Sequence, residues 1–392
     1  MAYEYVVLGA GRQGVALAYD LAKNGEAAGV RLFDVDAAVA ERAVARLRQL
    51  IPGTTCRFSA ARCDVADAAA ASGAMRGAHC VLSAVPYVFN ERLTNAAIDA
   101  GASFLDLGGN TSVVRSQLAM HEIARARGVS IVPDCGLAPG LGNSLAAQGI
   151  ASMDAPRHVH VRCGGLPQQR VGPLQYKLVF NFDGLMNEYS GFGEFLRDGK
   201  HVEVPALSEP ESINFPGTLG TCEAAVTSGG TSTCPHTYHG RLETYDYKTV
   251  RYPGHFDIIR VLFALGCFES NVPLSRGGAI QPRPIMRALF EERLTFPEVR
   301  DLVVLRTVVR GTHQGKSWRT QYDLYDLHDE KTGFTAMERT TAFPAALVAH
   351  FQARKLVEPG ARPLEVAVPA REYFEELAKH DIHIRVTETT DD

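Results

Sequence analysis

The hydrophobic and polar positions of the first third of the chain alternate in blocks that predict strand, helix, strand and helix in turn. A short apolar run at residues 5–8 leads into a glycine-rich turn, a second apolar run ends at Asp34, and an alanine-rich segment at 37–50 predicts a helix. Such alternation is typical of a parallel sheet with helices on both faces. We therefore predict an α/β fold whose first domain, residues 1–149, is a Rossmann-type doubly wound parallel sheet.

The remaining strands of this sheet are predicted from the same alternation of apolar strands and helices. The third is predicted at residues 55–58 or at 61–63, directly before Asp64, and a helix is predicted at 65–75. Three further buried strands are predicted at 79–86, 104–110 and 129–140. Ligands of such sheets bind at the carboxyl ends of the strands. The residues predicted at these ends are Asp64, Ser83, Ala84, Val85, Pro86, Asp106, Gly108 and Asp134.

The pattern changes after residue 150. Tyrosine, threonine and glycine become frequent, and runs such as HVHVRCGGLP and LQYKLVFNF predict extended strands. Two helices are predicted among them, at 256–265 and 285–292. We predict a second, mixed α+β domain over residues 150–343 that binds the substrate and offers a dimerisation surface.

The last segment, residues 344–392, is predicted to return to the first domain and pack on it. One helix is predicted to start at Phe343-Pro344 and to run through Arg354, and another to cover residues 371–380. The polar tail from Thr387 is expected to be frayed.

The turn after the first strand reads Gly9-Ala10-Gly11-Arg12-Gln13-Gly14. In the dinucleotide-binding fingerprint, Gly9 allows a tight turn, Gly11 lets the backbone approach a pyrophosphate, and Gly14 lets the helix pack on the strand. The N-terminus of that helix presents free N–H groups to the phosphates. The alternative is a glycine-rich connection that binds nothing.

Asp34 specifies the nucleotide. It stands twenty positions after Gly14, where a carboxylate accepts hydrogen bonds from the adenosine ribose and repels a 2′-phosphate. The sequence therefore predicts NAD, with the adenine near Asp64 and the nicotinamide ribose near residues 83–86. The predicted cofactor contacts are Gly9, Gly11, Arg12, Gln13, Gly14, Asp34, Asp64, Ser83, Ala84, Val85 and Pro86.

Composition narrows the class of protein. The formal net charge of −4 gives no attraction to nucleic acid or to membranes. No basic leader precedes the first strand, and no apolar run reaches the roughly 18 residues of a membrane span. The eight cysteines form no CxxC pair and are expected to be reduced thiols of a cytoplasmic protein.

The string from Cys234 to His239, which includes His236, suggests a metal site at first sight. A structural zinc site needs four protein ligands and a catalytic one usually three, and this spacing matches no such set. We therefore predict no metal.

Four further strings carry candidate chemistry: DCGLAPG at 134–140, GGLP at 164–167, LQYK at 174–177 and YKTVRYPGH at 247–255. In this order they resemble the saccharopine dehydrogenase-like family of NAD(P) oxidoreductases and, within it, most of all the lysine 6-dehydrogenases. The resemblance covers nearly the whole chain, and YKTVRYPGH is its most specific part. Saccharopine reductases have Gln-Gly-Phe where this chain has Pro253-Gly254-His255.

The resemblance implies hydride transfer from the ε-carbon of L-lysine to NAD. Hydrolysis of the resulting iminium would give allysine and ammonia, and allysine would close to the cyclic imine piperideine-6-carboxylate. The amine must be neutral before hydride can leave, and its unperturbed pKa is about 10.4. The site therefore needs a base or a desolvating pocket, besides a cation for the α-carboxylate.

The candidate residues come from these strings, except Asp106, which lies at the end of a predicted strand. The substrate contacts are Arg251, as a two-pronged clamp for the carboxylate, with Tyr252, Gly165 and Cys135, the last as a small packing residue rather than a nucleophile. The catalytic candidates are Asp106, Asp134, His255 and Tyr176. Each has a structural alternative: Arg251 could hold a loop, His255 could cap a helix, and the aspartates could cap the helices that follow them. Tyr176 and Lys177 lie next to each other on a predicted strand and point to opposite faces.

Two other functions stay open. A saccharopine- or carboxynorspermidine-type reductase would need a second clamping cation, for which Arg162, Arg170 and Arg241 are available. A non-catalytic NAD-sensing protein would keep the fold without turnover. For the protein itself we expect a small amino-acid substrate, no nucleic acid, no membrane and a homodimer.

Overall fold

A computed structural model describes residues 2–215 and 219–390. Its first part alternates strand and helix as predicted. The elements are β1 Tyr3–Leu8, α1 Arg12–Asn24, β2 Ala27–Asp34, α2 Ala37–Leu50, β3 Arg57–Arg62, α3 Ala68–Met75, β4 Cys80–Ser83, α4 Asn90–Ala100, β5 Ser103–Asp106, α5 Thr111–Leu118, α6 His121–Arg127, β6 Ser130–Val132 and α7 Leu141–Ala151.

These strands form a parallel sheet in the order β3-β2-β1-β4-β5-β6, extended by one short strand from the end of the chain. The order reverses between β1 and β4, which is the topological switch point where doubly wound sheets bind their ligands. The predicted Rossmann-type sheet is confirmed. Strand β3 lies between the two predicted positions and overlaps both. Strands β4, β5 and β6 are shorter than predicted, because their glycine- and proline-containing ends form loops at the sheet edge.

The second part is a mixed sheet with helices. Its elements are β7 Ala155–Pro167, α8 Phe182–Glu188, β8 Phe192–Arg197, β9 Lys200–Pro205, β10 Glu211–Phe215, β11 Gly220–Val226, α9 Cys234–Thr237, β12 Thr244–Arg251, α10 His255–Ala264, β13 Val272–Pro273, β14 Ala279–Ile280, α11 Pro282–Arg293, β15 Asp301–His313 and β16 Lys316–Leu327.

The third part connects the two sheets. Its elements are α12 Ala336–Ala353, β17 Gly360–Ala361, α13 Leu364–Ala367, α14 Ala370–Glu376, a 3-10 turn at Leu377–His380 and β18 Ile384–Thr390. Strand β17 pairs with β6 of the first sheet, whereas β18 pairs with β16 of the second. The second sheet has nine strands among the described residues, in the order β10-β11-β12-β7-β15-β16-β18, with β8 and β9 beside β12.

Two predictions about this third part were wrong. The helix predicted to start at Phe343-Pro344 begins at Ala336, because Thr335 and Glu338 form a capping box and the Asp301 carboxylate accepts the N–H groups of Ala336 and Met337. Pro344 lies inside it.

In the tail predicted to be frayed, residues 387–390 form part of a strand, and residues 391–392 lie outside the described residues. Its register pairs Thr387 with Gln321 and Thr390 with Trp318, so its backbone groups are satisfied by the edge of β16. The prediction of a frayed end was based on the polar side chains of this segment. An edge strand also carries polar side chains, because one of its faces lies in solvent.

Candidate active site

The glycine turn has the shape that a pyrophosphate needs. Gly9 has φ +89°, and a Cβ there would meet the carbonyl oxygen of Ala84 at 2.7 Å. A Cβ on Gly14 would lie 1.9 Å from the oxygen of Gly9, so this position admits only glycine. A Cβ on Gly11, in contrast, meets nothing within 4 Å. The turn is therefore packed on its protein side and open at Gly11, which fits a bound dinucleotide.

Asp34 ends β2 beside this turn. Its Oδ2 accepts the N–H of Ala10 at 2.9 Å and its Oδ1 accepts the N–H of Asp36 at 3.1 Å. Asp64 follows the neighbouring strand β3 and accepts the N–H of Ala66 at 2.9 Å. Both carboxylates thus lie at the carboxyl edge of the sheet, where the sequence placed the adenosine end of the cofactor.

Arg12 and Gln13 make contacts that the sequence did not indicate. The Nη2 of Arg12 donates to the carbonyl of Val179 at 3.1 Å, and the Nε2 of Gln13 donates to that of Met337 at 3.4 Å. Both side chains therefore reach from the first domain into later parts of the chain. The Oε1 of Gln13 is buried without a hydrogen-bond partner, and Gln13 is one of the residues that line the cavity described next.

A cavity of about 860 Å³ lies where the two sheets meet. Of the predicted site residues, the structure brings these together on its wall: Gln13, Ala84, Val85, Pro86, Asp134, Gly165 and Arg251. The predicted site residues absent from this wall are Gly9, Gly11, Arg12, Gly14, Asp34, Asp64, Ser83, Asp106, Cys135, Tyr176, Tyr252 and His255.

Asp106 is a buried anchor behind the cavity. Its Oδ1 accepts the N–H groups of Gly108 at 2.8 Å and Asp134 at 3.2 Å, and its Oδ2 accepts Nε2 of Gln117 at 2.7 Å. Burial raises the pKa of this carboxyl group, and the three hydrogen bonds oppose the rise. Asp106 therefore positions the loops after β5 and β6 rather than facing a ligand.

Among the residues of those loops, Asp134 is the one whose side chain can take part in proton transfer. It is 4% exposed and has φ +59°, and its Oδ2 accepts a hydrogen bond from the Ser232 hydroxyl. Its Oδ1 has no hydrogen-bond partner. Burial, and then the charge of Asp106, raises the pKa of Asp134 to about 7. A carboxyl group with this pKa and a free oxygen can exchange a proton near neutral pH.

Arg251 ends β12 on the opposite wall, and it is 2% exposed. Its Nε donates to the hydroxyl of Tyr189 at 2.9 Å and its Nη1 to the carbonyl of Val250 at 2.9 Å. The guanidinium lies 4.9 Å from the ring centre of Tyr176. Two of its five N–H donors are thus engaged, and those left are on the end formed by Nη1 and Nη2.

His255 lies behind Arg251 rather than in the cavity. Its Nδ1 donates to the carbonyl of Leu174 at 3.0 Å, so its Nε2 is the acceptor of a 2.9 Å hydrogen bond from the Tyr189 hydroxyl. Burial, and then the charge of Arg251, lowers the pKa of His255 to about 3. His255 therefore stays neutral and holds Tyr189, which in turn holds Arg251.

The other predicted residues support the wall. Burial raises the pKa of Tyr176 to about 12, and its hydroxyl has no hydrogen-bond partner. Tyr252 donates to the carbonyl of Pro167 at 2.9 Å. Gly165 leaves room for Met337, whose Cε would lie 2.5 Å from a Cβ at that position. Cys135 is 1% exposed and burial raises the pKa of its thiol, which suits a packing role.

Glu188 is the site residue that the sequence did not reveal. It ends α8, its side chain is 27% exposed, and its Oε2 lies 3.5 Å from Nη2 of Arg251. That oxygen is buried and makes no hydrogen bond. Burial raises the pKa of Glu188 to about 7, although the Arg251 charge opposes the rise. No motif marks this residue, because α8 is a short helix in a loop-rich stretch.

The charged residues on the cavity wall are mostly acidic. Two arginines face four carboxyl groups, namely Arg115 and Arg251 against Asp134, Asp183, Glu188 and Glu194. Arg115 is bound to Glu194 at 2.7 Å, and Asp183 is bound to Arg283 and Arg287 outside the wall. Among the described residues Asp134 is the wall carboxyl group that no cation pairs with, so the cavity suits a ligand with a basic group near Asp134.

Two family models match this architecture. Residues 5–132 match the saccharopine dehydrogenase NADP binding domain, and residues 136–382 match the saccharopine dehydrogenase C-terminal domain. The chain belongs to the saccharopine dehydrogenase family. Membership supports a nicotinamide dinucleotide as the cofactor and an oxidoreductase as the class of enzyme, and the resemblance predicted from the motifs is confirmed at the level of this family.

Individual members of the saccharopine dehydrogenase family are distant from this chain. It is 25% identical over 220 residues to saccharopine dehydrogenase [NADP(+), L-glutamate-forming] of Schizosaccharomyces pombe, over 53% of this chain and 47% of the relative. It is 29% identical over 133 residues to the mitochondrial alpha-aminoadipic semialdehyde synthase of Rattus norvegicus, over 32% of this chain and 14% of the relative. The chain thus spans at most about half the length of these curated relatives.

A solved structure shares the whole fold. Apo saccharopine dehydrogenase (L-Glu forming) from Saccharomyces cerevisiae superposes with a TM-score of 0.79, covering 99% of this chain and 100% of that one. The identity is 17%, so the match establishes the fold. Separately, no helix of the described residues is long and apolar enough to cross a membrane.

Proposed function

We propose that the protein oxidises the ε-amine of L-lysine with NAD, giving allysine, which cyclises to piperideine-6-carboxylate, and ammonia. The observation that carries the proposal is the distribution of charge in one cavity. Arg251 and Glu188 form a cation–anion pair on the wall built by the second sheet, and Asp134, whose buried Oδ1 has no hydrogen-bond partner, lines the wall built by the first.

The Arg251–Glu188 pair matches the head of an α-amino acid. The free end of the Arg251 guanidinium is a suitable donor for the α-carboxylate. The buried Oε2 of Glu188 is a suitable acceptor for the α-ammonium. Because the two side chains lie side by side, one zwitterionic head group would satisfy both.

Asp134 is the proposed proton acceptor for the ε-amine. It follows β6 and lines the same cavity as Ala84 and Pro86, which follow β4 and where the sequence predicts the nicotinamide. Bound there, the nicotinamide supplies a hydride acceptor. Asp134 removes a proton from the ammonium and passes it to solvent, and the regenerated carboxylate is then placed to accept a proton from the water that attacks the iminium.

The preference for NAD over NADP rests on Asp34. A carboxylate facing a 2′-phosphate disfavours NADP, and we expect at least a tenfold difference in kcat/KM, or about 1.4 kcal/mol. Steady-state rates with both cofactors test this, and equal rates would contradict it.

A saccharopine-type reductase is the alternative, because saccharopine dehydrogenase is the name that the relatives carry. Its substrate has three carboxylates, whereas the cavity wall is mostly acidic. The cations considered for a second clamp are committed elsewhere. Arg162 is paired with Glu211 and Asp246. Arg170 stacks on Tyr252, and Arg241 on Tyr238.

The test is a panel of amines incubated with NAD while reduced cofactor is followed by its absorbance. L-lysine should give the highest rate, above saccharopine and above ornithine. Turnover of saccharopine alone would show that the protein is the saccharopine-type enzyme instead. Tight lysine binding without reduction of NAD would favour a sensing protein.

Two expectations about the whole protein remain proposals. We propose a homodimer that buries exposed apolar side chains from residues 261–289, namely Val261, Leu265, Leu274, Ile280, Ile285 and Leu289. We also propose a cytoplasmic location, which the eight unpaired cysteines favour.

A further inference from the structure

A cluster of side chains that could bind a metal ion lies at the end of the first sheet that is remote from the cavity. His350 of α12, Glu376 of α14 and His380 of the following 3-10 turn each place one possible ligand atom within 4.8 Å of the others. His350 packs against the ring of Tyr3, at the start of β1. The cluster therefore sits at the amino ends of the strands, opposite the edge where the cavity opens.

His350 is the first sign that this cluster has a ligand. Its side chain is 5% exposed, yet neither ring nitrogen makes a hydrogen bond. The nearest charged oxygen is that of Glu26, 3.5 Å from Nε2. A buried imidazole without hydrogen bonds is uncommon in folded proteins, and its two unpartnered nitrogens indicate that it binds a ligand.

His380 supplies the second, independent sign. Its Nδ1 is 2.5 Å from the Asp20 carboxylate, and both side chains are almost fully buried. Asp20 also accepts Nδ2 of Asn24 at 2.7 Å. A buried carboxylate that fixes one ring nitrogen of a histidine, leaving the other to bind, is the usual second layer of a metal site.

The third member, Glu376, has cationic neighbours. Its Oε1 lies 3.3 Å from Arg354 and 4.0 Å from Lys379. The acidic groups next to the cluster are Glu26 and Asp20. A bound dication would therefore compete with Arg354 for Glu376 but would be balanced by three carboxylates.

We propose that His350, Glu376 and His380 bind a divalent transition metal ion, with Zn²⁺ as the best match. Two imidazoles and one carboxylate, with water in the fourth position, are a familiar zinc set. Zinc bonds of about 2.1 Å hold tetrahedral ligand atoms roughly 3.4 Å apart. The three side chains would need to close by only about 1.4 Å from their present spacing.

The position gives the ion a structural role. It would tie α12, α14 and the 3-10 turn together, and through Asp20 it would tie them to α1 of the first domain. The chain segment that links the two sheets would thereby be fixed. Turnover at the cavity does not depend on this ion in the function proposed above, so the two proposals can fail separately.

The test uses the full-length protein, stripped with EDTA and titrated with ZnCl2 by calorimetry, with bound metal counted by elemental analysis. We expect one Zn²⁺ per chain and a higher Tm on binding. Glu376→Gln and His350→Phe should each weaken binding at least tenfold. Glu376 is partly exposed, so this variant should fold even if His350→Phe does not.

The matched control is the double variant His236→Ala and His239→Ala. These exposed histidines stack on His201 at the surface and so form a histidine cluster away from the proposed site. The control should keep the full stoichiometry and affinity. Absence of saturable binding in the wild type, unchanged affinity in Glu376→Gln, or loss of zinc in the control would each overturn the proposal.

Discussion

Arg251 and Glu188 lie side by side on the cavity wall, with Nη2 of the arginine 3.5 Å from Oε2 of the glutamate and no hydrogen bond between them. A pair that is close yet unbonded leaves donors on one partner and an acceptor on the other. Both can then serve a ligand that carries a carboxylate and an ammonium on one carbon. This relationship, more than any single residue, favours an α-amino acid as the substrate.

Arg251→Lys and Arg251→Ala should both lose most activity through a raised KM for lysine. Lysine keeps the charge but loses the planar donor set and the hydrogen bond to Tyr189. Removing a buried partner of a carboxylate costs about 2–5 kcal/mol, so kcat/KM should fall by about thirtyfold or more. NAD affinity, measured by titration, should be unchanged. If NAD binding falls equally, Arg251 is a structural residue.

Glu188→Gln should remove the preference for an α-amino group. The wild-type protein should use lysine better than 6-aminohexanoate, which lacks that group, because Glu188 pairs with the α-ammonium. A hydrogen bond to a charged group contributes about 1.5–3 kcal/mol, so the ratio of kcat/KM values should fall at least tenfold in the variant. The surface variant Glu330→Gln is the matched control. An unchanged ratio in Glu188→Gln would remove this residue from the head-group site.

Asp134→Asn should abolish the proton acceptor. We expect kcat to fall by roughly 10²- to 10⁴-fold, the usual contribution of a positioned base. In the wild type, kcat should rise with pH through about 7, where Asp134 ionises, and this rise should be absent from the residual activity of the variant. A full pH rise in Asp134→Asn would point to Glu188 as the base instead.

The same substitution should stabilise the protein above neutral pH. The folded-state pKa of Asp134 is raised from 3.8 to about 7, so between these values the folded state binds more protons than the unfolded state. Stability is therefore lost as pH rises through this window. Asparagine removes that loss, so the gain in Tm over wild type should be larger at pH 8 than at pH 5. Thermal unfolding at the two pH values checks both the sign and the cause.

Gly11→Val should separate cofactor binding from folding. A side chain at Gly11 meets no protein atom within 4 Å, so Tm should change little, whereas the space for the pyrophosphate is filled. NAD affinity should fall at least a hundredfold by titration. Gly14→Ala is the contrasting variant, because its Cβ would clash with the Gly9 oxygen and destabilise the fold. Normal NAD binding by Gly11→Val would contradict the assigned pyrophosphate site.

The first sheet was predictable because its signals are local. The glycine turn, Asp34 and the alternating apolar runs each depend on neighbours within one βαβ unit. The extent of α12 was not predictable, because its start depends on the carboxylate of Asp301, which belongs to β15. Likewise, residues 387–390 form a strand because they pair with the edge of β16, and the local sequence does not indicate this pairing.

The candidate site was predictable only in part, for the same reason. Arg251 and Asp134 were found because they lie in motifs at strand ends. His255 lies in the same motif as Arg251, yet it faces Tyr189 instead of the cavity. Glu188 escaped notice because its proximity to Arg251 arises from packing between distant segments.

The oxidised carbon tests the central claim most directly. With the lysine head at Arg251 and Glu188, the ε-carbon is the one presented near Asp134. Deuterium at the ε-carbon should therefore slow single-turnover reduction of NAD, whereas deuterium at the α-carbon should have no effect, and the product should be the cyclic imine of allysine. An isotope effect from the α-carbon, or a 2-oxo acid product, would contradict this account by showing that the substrate lies the other way round.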